Sequence, residues 1–173
     1  MIMPAMQKSI TENAQDVIRV RRVDDPAPAA FLFRRKFGHP TPDFPAHYLA
    51  TQGAGSEGRV VGYVHMTAME DFRLAGGLCV DETAYRAMDA GSRAIVRAAG
   101  GIARLLMAAA TRDHGDAAAS FAYIGNPQSR KICRDVGYEL VAPPYLHAHW
   151  HDAAMSAQRR AAIVERVRAL GAF

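Results

Sequence analysis

Three groups of residues have types and spacings that could do chemistry. The turn Ala98-Ala99-Gly100-Gly101-Ile102-Ala103 exposes several backbone N–H groups where a helix begins. Unsatisfied donors and the positive end of the helix dipole can together hold a phosphate there, and the same small residues also serve as an ordinary turn and cap. Glu70, Asp71, Asp81 and Glu82 fall at the ends of central strands. A carboxylate there could take a proton from an incoming group, or be a solvated turn residue. His147, His149 and His151 alternate along one strand face, the pattern of a shared metal site or of a half-exposed polar face; no carboxylate or cysteine joins them at ligand spacing, so no metal site is assigned.

The elements that position these residues follow from hydrophobic period and punctuation. Residues 16–23 alternate imperfectly and are rich in β-branched side chains, which predicts a first strand. Pro26 and Pro28 open a helix that carries Phe31, Phe33 and Phe37, and a Pro-punctuated segment, 39–45, follows. Residues 47–52 and 59–69 read as strands joined by a glycine-containing turn at 53–58, and 74–80 as a third strand of the meander. Residues 83–98 predict a helix with Thr83 as N-cap, interrupted by Gly91 and ended by Gly100-Gly101. Ile102, Leu105, Leu106, Ala109 and Ala110 make an amphipathic helix that stops near Gly115.

Residues 117–124 are an apolar run of strand length, as in a strand covered on both faces. Asn126 is an N-cap type, Pro127 suits the first helical position and Gly137 suits C′, so a helix spans them. Two short strands, 138–141 and 145–151, flank Pro143-Pro144, and a last helix, 152–170, has its apolar face interrupted by Arg160. That face is mainly Ala and Val, which suits packing on the sheet or on a second copy of the chain, as in a homodimer, better than on a membrane. The order predicts an α/β or α+β sheet with helices on its faces.

Composition bounds the rest. A chain of 173 residues, half of them hydrophobic, buries one substantial core, so 1–173 is expected to be one domain. Lys8, Glu12 and Asp16 interrupt the first residues, where a signal peptide would have an apolar stretch, and no run reaches membrane-spanning length. Cys79 and Cys133 are too few and too far apart for a disulfide framework. A reducing cytoplasm is the expected compartment. The net charge of +4 is dispersed among acidic residues, and the runs Arg19, Arg21, Arg22 and Arg34, Arg35, Lys36 lack aromatic interleaving, which argues against nucleic acid; a polyanionic ligand suits the balance.

Gly101-Ile102-Ala103-Arg104-Leu105-Leu106, then an apolar strand, then Asn126-Pro127-Gln128-Ser129 leading to Val136-Gly137-Tyr138, resembles the GNAT superfamily of acyl-CoA-dependent N-acyltransferases. The resemblance covers residues 60–138. It implies a mixed, mostly antiparallel sheet splayed between its fourth and fifth strands, 74–80 and 117–124, with helices on both faces. It implies acetyl-CoA or another acyl-CoA in the gap as co-substrate, and a small-molecule or peptide amine as acceptor. Pantetheine would lie along Leu78, Cys79 and Val80, with a backbone N–H near Cys79 or Val80 polarising the thioester carbonyl. The pyrophosphate would rest on the amides of Ala98, Ala99, Gly100, Gly101, Ile102 and Ala103, and Asn126 and Ser129 would face the pantetheine.

This chain departs from the family pattern in three places. The first position of the phosphate loop, commonly Gln or Arg, falls on Ala98 when Gly101 and Ala103 hold the last two, and on Arg97 when the frame slides by one. The connection between Val80 and Ala98 is long, carrying an extra helix expected to cover the acceptor end. The position seven after Asn126, commonly a tyrosine that protonates the departing thiolate, is Cys133; its other reading is a small buried helix residue. Glu70, Asp81, Glu82 and Cys133 are the catalytic candidates, with general base and acid both unassigned.

Overall fold

The computed structural model describes residues 13–43, 46–53 and 58–173. The Lys8 and Glu12 positions, the end of the Pro-punctuated segment and most of the 53–58 turn lie outside the described residues. Seven strands form one sheet in the order β1-β2-β3-β4-β5-β7-β6. They are β1 (Ile18–Val23), β2 (Ala46–Gln52), β3 (Arg59–Ala68), β4 (Phe72–Val80), β5 (Ala119–Tyr123), β6 (Glu139–Ala142) and β7 (Leu146–Trp150). Only the β4–β5 pair is parallel.

Helix α1 (Ala30–Phe37) follows a 3-10 turn at Ala27–Ala29. It buries Leu32 and Phe33 against Leu49, Tyr63 and Cys79 on one face of the sheet. Helix α4 (Ile102–Arg112) packs Ile102, Leu106 and Ala110 into the largest core cluster, with Val64, Met66 and Ala75 of the sheet. The alternation of Val64 and Met66 against Tyr63 and His65 assigns the two faces of β3 to these two helices. Helix α5 (Pro127–Asp135) contributes Cys133 to the α4 side. Helix α6 (Ala157–Ala169) lays Ile163 and Val167 on Phe72, Phe121 and Leu146, so of the two sequence alternatives it takes the sheet.

The stretch expected as one helix from Thr83 is two: α2 (Glu82–Ala87) and α3 (Ala90–Ala98). Asp81, not Thr83, is the N-cap, accepting from the N–H groups of Thr83 and Ala84. The break is at Met88-Asp89 rather than Gly91, because the Asp89 carboxylate caps a new helix through the Ser92 N–H. A tight glycine turn then bends the chain 46° from α3 into α4. Among the described residues no single helix is long and apolar enough to cross a membrane.

Candidate active site

The parallel pairing of β4 with β5 runs from Phe72↔Ala119 to Ala75↔Ala122 and stops. Beyond it β4 continues through Gly76–Val80, paired with β3 on one side and open on the other. Within that free half, His65 pairs with Gly76 and Tyr63 with Cys79, so Gly77 and Leu78 stand together opposite Val64: a β-bulge. Gly77 has φ +64°, and a Cβ on it would lie 2.6 Å from Phe33 Cε2 and 2.7 Å from His65 Nδ1. The bulge therefore needs glycine both for its conformation and for its clearance.

Two cavities occupy the gap and share Leu78 and Ser129. The outer one, about 470 Å³, lies between β4 residues Leu78, Cys79 and Val80, the turn Gly100–Ala103, and α2 side chains Glu82, Tyr85 and Arg86. Lys36 also lines it. The inner one, about 230 Å³, is lined by Gly76, Gly77 and Leu78 of β4, Ala122 and Tyr123 of β5, and Asn126, Ser129 and Cys133 of α5, with Phe37 and Phe173 at its rim. No residue of 83–98 lines the inner cavity, so the extra helical segment walls the outer space instead of covering the inner end.

Hydrogen bonding divides the glycine turn in two. Ala99, Gly100 and Gly101 donate their N–H groups back to Ile95, Arg97 and Val96, closing the end of α3. The first N–H of α4 to be satisfied within the helix is that of Leu105, which bonds Gly101 O at 3.2 Å. The N–H groups of Ile102 and Ala103 are thus the donors left at the cavity, while those of Ala98, Ala99, Gly100 and Gly101 serve α3. Gly101 has φ +91°, and a Cβ there would meet nothing within 4 Å, so space for a ligand lies directly above these donors. Arg104 donates to Ala99 O at 2.9 Å and braces the turn.

Asn126 caps α5 by accepting from the Ser129 N–H at 2.8 Å, and its amide donates to Ser129 Oγ at 2.9 Å. Both residues reach the inner cavity, Ser129 half-buried. Cys133 also lines it but is 3 % exposed, and burial pushes its thiol up to about 12. Such a thiol is neutral throughout the neutral range and packs as a small apolar group. Burial likewise drives the Cys79 thiol up to about 11 against the pull of Lys36 and Arg35.

The acidic candidates separate. Glu70 and Asp71 lie at the start of β4, the closed end of the split, where they pair with Arg166 of α6. Asp81 is engaged by two backbone N–H groups and by Arg35 and Arg59. Burial pushes its carboxyl up, but the Ala84 N–H and the two guanidinium groups outweigh that and hold it below the ordinary carboxylate range. That makes Asp81 a structural anchor. Glu82 faces the outer cavity and pairs with Arg86.

His147, His149 and His151 do not converge on a common centre. His147 bonds Tyr145 O, His151 bonds Ser120 Oγ at 2.9 Å, and His149 stacks beside Tyr138. No group of His, Cys, Asp or Glu able to hold a metal ion occurs among the described residues. Sequence reading passed over a different set: Tyr63 and His65 on β3, two apart and so on one face, with His47 directly across from His65 on β2. They form a connected network, buried at Tyr63 and His47 and half-buried at His65, with Tyr63 Oη lying 2.8 Å from His47 Nδ1 and 3.3 Å from His65 Nδ1.

A seven-stranded mixed sheet that opens between a parallel fourth and fifth strand, with a bulge in the fourth and a helix N-terminus beside the gap, is the GNAT acetyltransferase fold. Solved structures agree. The ribosomal-protein-S18-alanine N-acetyltransferase from Escherichia coli superposes with a TM-score of 0.57 at 12 % identity, over 81 % of this chain and 97 % of that one. N-acetylglutamate synthase from Neisseria gonorrhoeae, complexed with coenzyme A and L-arginine, gives 0.52 at 12 % identity over 78 % of this chain and 33 % of that one. A cAMP-binding acyltransferase from Mycobacterium smegmatis gives 0.50 at 15 % identity, over 93 % and 58 %. No family model matches the sequence, and no curated protein matches it.

Proposed function

We propose that this chain is a single-domain N-acyltransferase that moves an acetyl or similar acyl group from acyl-CoA to a primary amine. The observation that carries the reading is the continuity of three features along one cleft: free helix-terminal donors, an open strand edge and a bulge. Phosphates fit at the N–H groups of Ile102 and Ala103, with Lys36 and Arg86 supplying positive charge. An extended arm carrying amides fits beside Leu78, Cys79 and Val80, whose outer edge lacks a partner strand. A main-chain N–H at the bulge, at Leu78 just before the Cys79 and Val80 positions expected from the sequence, suits a developing oxyanion. Holding a neutral amine against the thioester in the inner cavity supplies much of the acceleration.

A second reading, binding of acyl-CoA without turnover, draws support from the lining of the inner cavity, which among the described residues has no Asp or Glu side chain and has Cys133 where a phenol would serve as acid. Acetyl-CoA titration by calorimetry tests the binding both readings require, and thiol release with a panel of amines separates them. Binding with turnover supports the transferase, binding without turnover on any amine supports the second reading, and no binding removes both.

A further inference from the structure

The acyl-transfer reading leaves one chemical requirement unmet. An amine that attacks a thioester must shed a proton, and among the described residues no Asp or Glu side chain lines the inner cavity to receive it. Resting on that reading, we propose that the hydrogen-bonded series His65–Tyr63–His47 is the proton acceptor for the amine, with His65 as the catalytic residue and Tyr63 and His47 as positioning residues that fix its tautomer against the glycines of the cavity wall.

The geometry begins at the bulge. A Cβ on Gly76 would lie 2.5 Å from His65 Nε2, and one on Gly77 would lie 2.7 Å from His65 Nδ1. The imidazole therefore lies directly on two glycines that line the inner cavity, where any side chain would exclude it. It is on the α1 face of the sheet, the face opposite the glycine turn and α4. The ring is fixed by Phe33, whose centroid is 6.2 Å away, and Phe33 also packs edge-on against Tyr63 at 5.3 Å.

Hydrogen-bond bookkeeping selects the tautomer. Tyr63 has one proton to give and lies between two Nδ1 atoms. The 2.8 Å contact with His47 suits a phenol O–H donating to an imidazole nitrogen, and the 3.3 Å contact suits His65 Nδ1–H donating to the phenol oxygen. His65 Nε2 is then an unprotonated acceptor with no partner among the described residues, lying against the glycines of the cavity wall. His47, 1 % exposed, carries its proton on Nε2, which also has no partner among the described residues. Burial first, then His47 and His39, lowers the His65 ring to about 4, so it is neutral at neutral pH with a free lone pair on Nε2.

The step balances without a further reactant. The amine nitrogen forms a bond to the thioester carbon and gives its proton to His65 Nε2. His65 holds it as an imidazolium whose Nδ1–H stays donated to the Tyr63 oxygen, while Tyr63 keeps its own proton on the bond to His47 Nδ1. The C–S bond breaks, the electron pair leaves with sulfur, and the thiolate takes a proton from water as the series returns its own to solvent. Burial lowers the His47 ring against the pull of Asp25, and the other charged and titratable groups facing the series are Lys36 and Arg35 of α1, His39 beyond it, and the Cys79 thiol on β4.

The test combines turnover with a readout that does not depend on it. Nitrogen-15 shifts of the imidazoles in the wild-type protein should show His65 protonated on Nδ1 and His47 on Nε2, and Tyr63→Phe should release His65 to the Nε2–H form preferred by free imidazole. With acetyl-CoA affinity by calorimetry as the control, His65→Gln should keep binding and lose about 100-fold in kcat. Tyr63→Phe, which keeps the ring and the packing, should lose about tenfold in kcat with KM unchanged. His65 found protonated on Nε2 in the wild type, or His65→Gln turning over at the wild-type rate, overturns the role of His65 while leaving acyl transfer standing. A wild-type protein that fails to bind acetyl-CoA overturns the underlying reading and that role together.

Discussion

The two walls of the cleft offer opposite kinds of chemistry. The β4–α4 wall presents main chain: the bulge at Gly77-Leu78, the open edge to Val80 and the N–H groups of Ile102 and Ala103. The β5–α5 wall presents side chains, Asn126, Ser129 and Cys133, yet Asn126 and Ser129 are bonded to each other and Cys133 is packed into the core. The difference teaches where binding should reside. Donors fixed by a strand and a helix cost nothing to organise when a ligand arrives, whereas the polar side chains opposite must first leave their own partners.

The largest effect should come from the wall made of backbone. Gly77→Val imposes a positive φ on a β-branched residue and drives its Cβ into Phe33 and His65, so it should lower unfolding stability by about 3 kcal/mol, read from urea denaturation. Asp81→Ala removes the α2 cap and the common partner of Arg35 and Arg59, and should cost about 2 kcal/mol in the same measurement. The Asp81 effect carries a pH signature. Because the folded-state carboxyl titrates below the range of a free aspartate, its contribution is present above that range and is lost as pH falls through the folded-state value. Asp81→Asn should therefore flatten the acid limb of stability followed by circular dichroism; an unchanged limb would mean that the two arginines do not hold the carboxylate.

Gly101→Glu should keep the fold at a cost in stability, since φ +91° is strained for glutamate although the space above is open, and weaken acetyl-CoA at least about tenfold, close to 1.4 kcal/mol, by setting a carboxylate over the phosphate donors. Equal affinity in a calorimetric titration would break the assignment of that wall to the phosphates. On the opposite wall the effects shrink. Asn126→Ala should cost about 1 kcal/mol of stability through its lost cap, and acetyl-CoA affinity should fall by less than in Gly101→Glu. Cys133→Ala is the mildest, with acyl transfer kept within about tenfold of wild type. A thousandfold loss in a folded, acetyl-CoA-binding Cys133→Ala protein would make the thiol catalytic and invert the comparison.

What the sequence made legible divides along the same line. The glycine turn, the Asn126–Pro127 helix start and the strand order are written in residue types with narrow conformational preferences, and each is found within a few residues of its expected place. The bulge is not legible, because the types of Gly76 and Gly77 do not separate a bulge from a strand interior, and it exists only through the register that sets Gly76 against His65 and Cys79 against Tyr63. The α2–α3 break was misplaced for a related reason: Gly91 is a poor helix former, but Asp89 next to a free N–H at Ser92 is a stronger local signal. His47 and His65 face each other only once β2 and β3 are in register, and no spacing within either strand announces that. The roles of Asp81 and Glu70 likewise needed arginines more than twenty residues away in sequence to become clear.

A sheet ordinarily has two edges, both on the outside. This one has a further edge inside, along Gly76–Val80, where β4 has lost its neighbour but remains walled by helices. An exposed edge of that kind on a surface invites another polypeptide to add a strand. Here the free stretch is five residues long and ends at the Ala75–Ala122 junction, where pairing resumes. Side chains of α2 and α5 and the glycine turn wall it, so this edge lies inside a cleft and not at the rim of the sheet, where unpaired edges meet other chains.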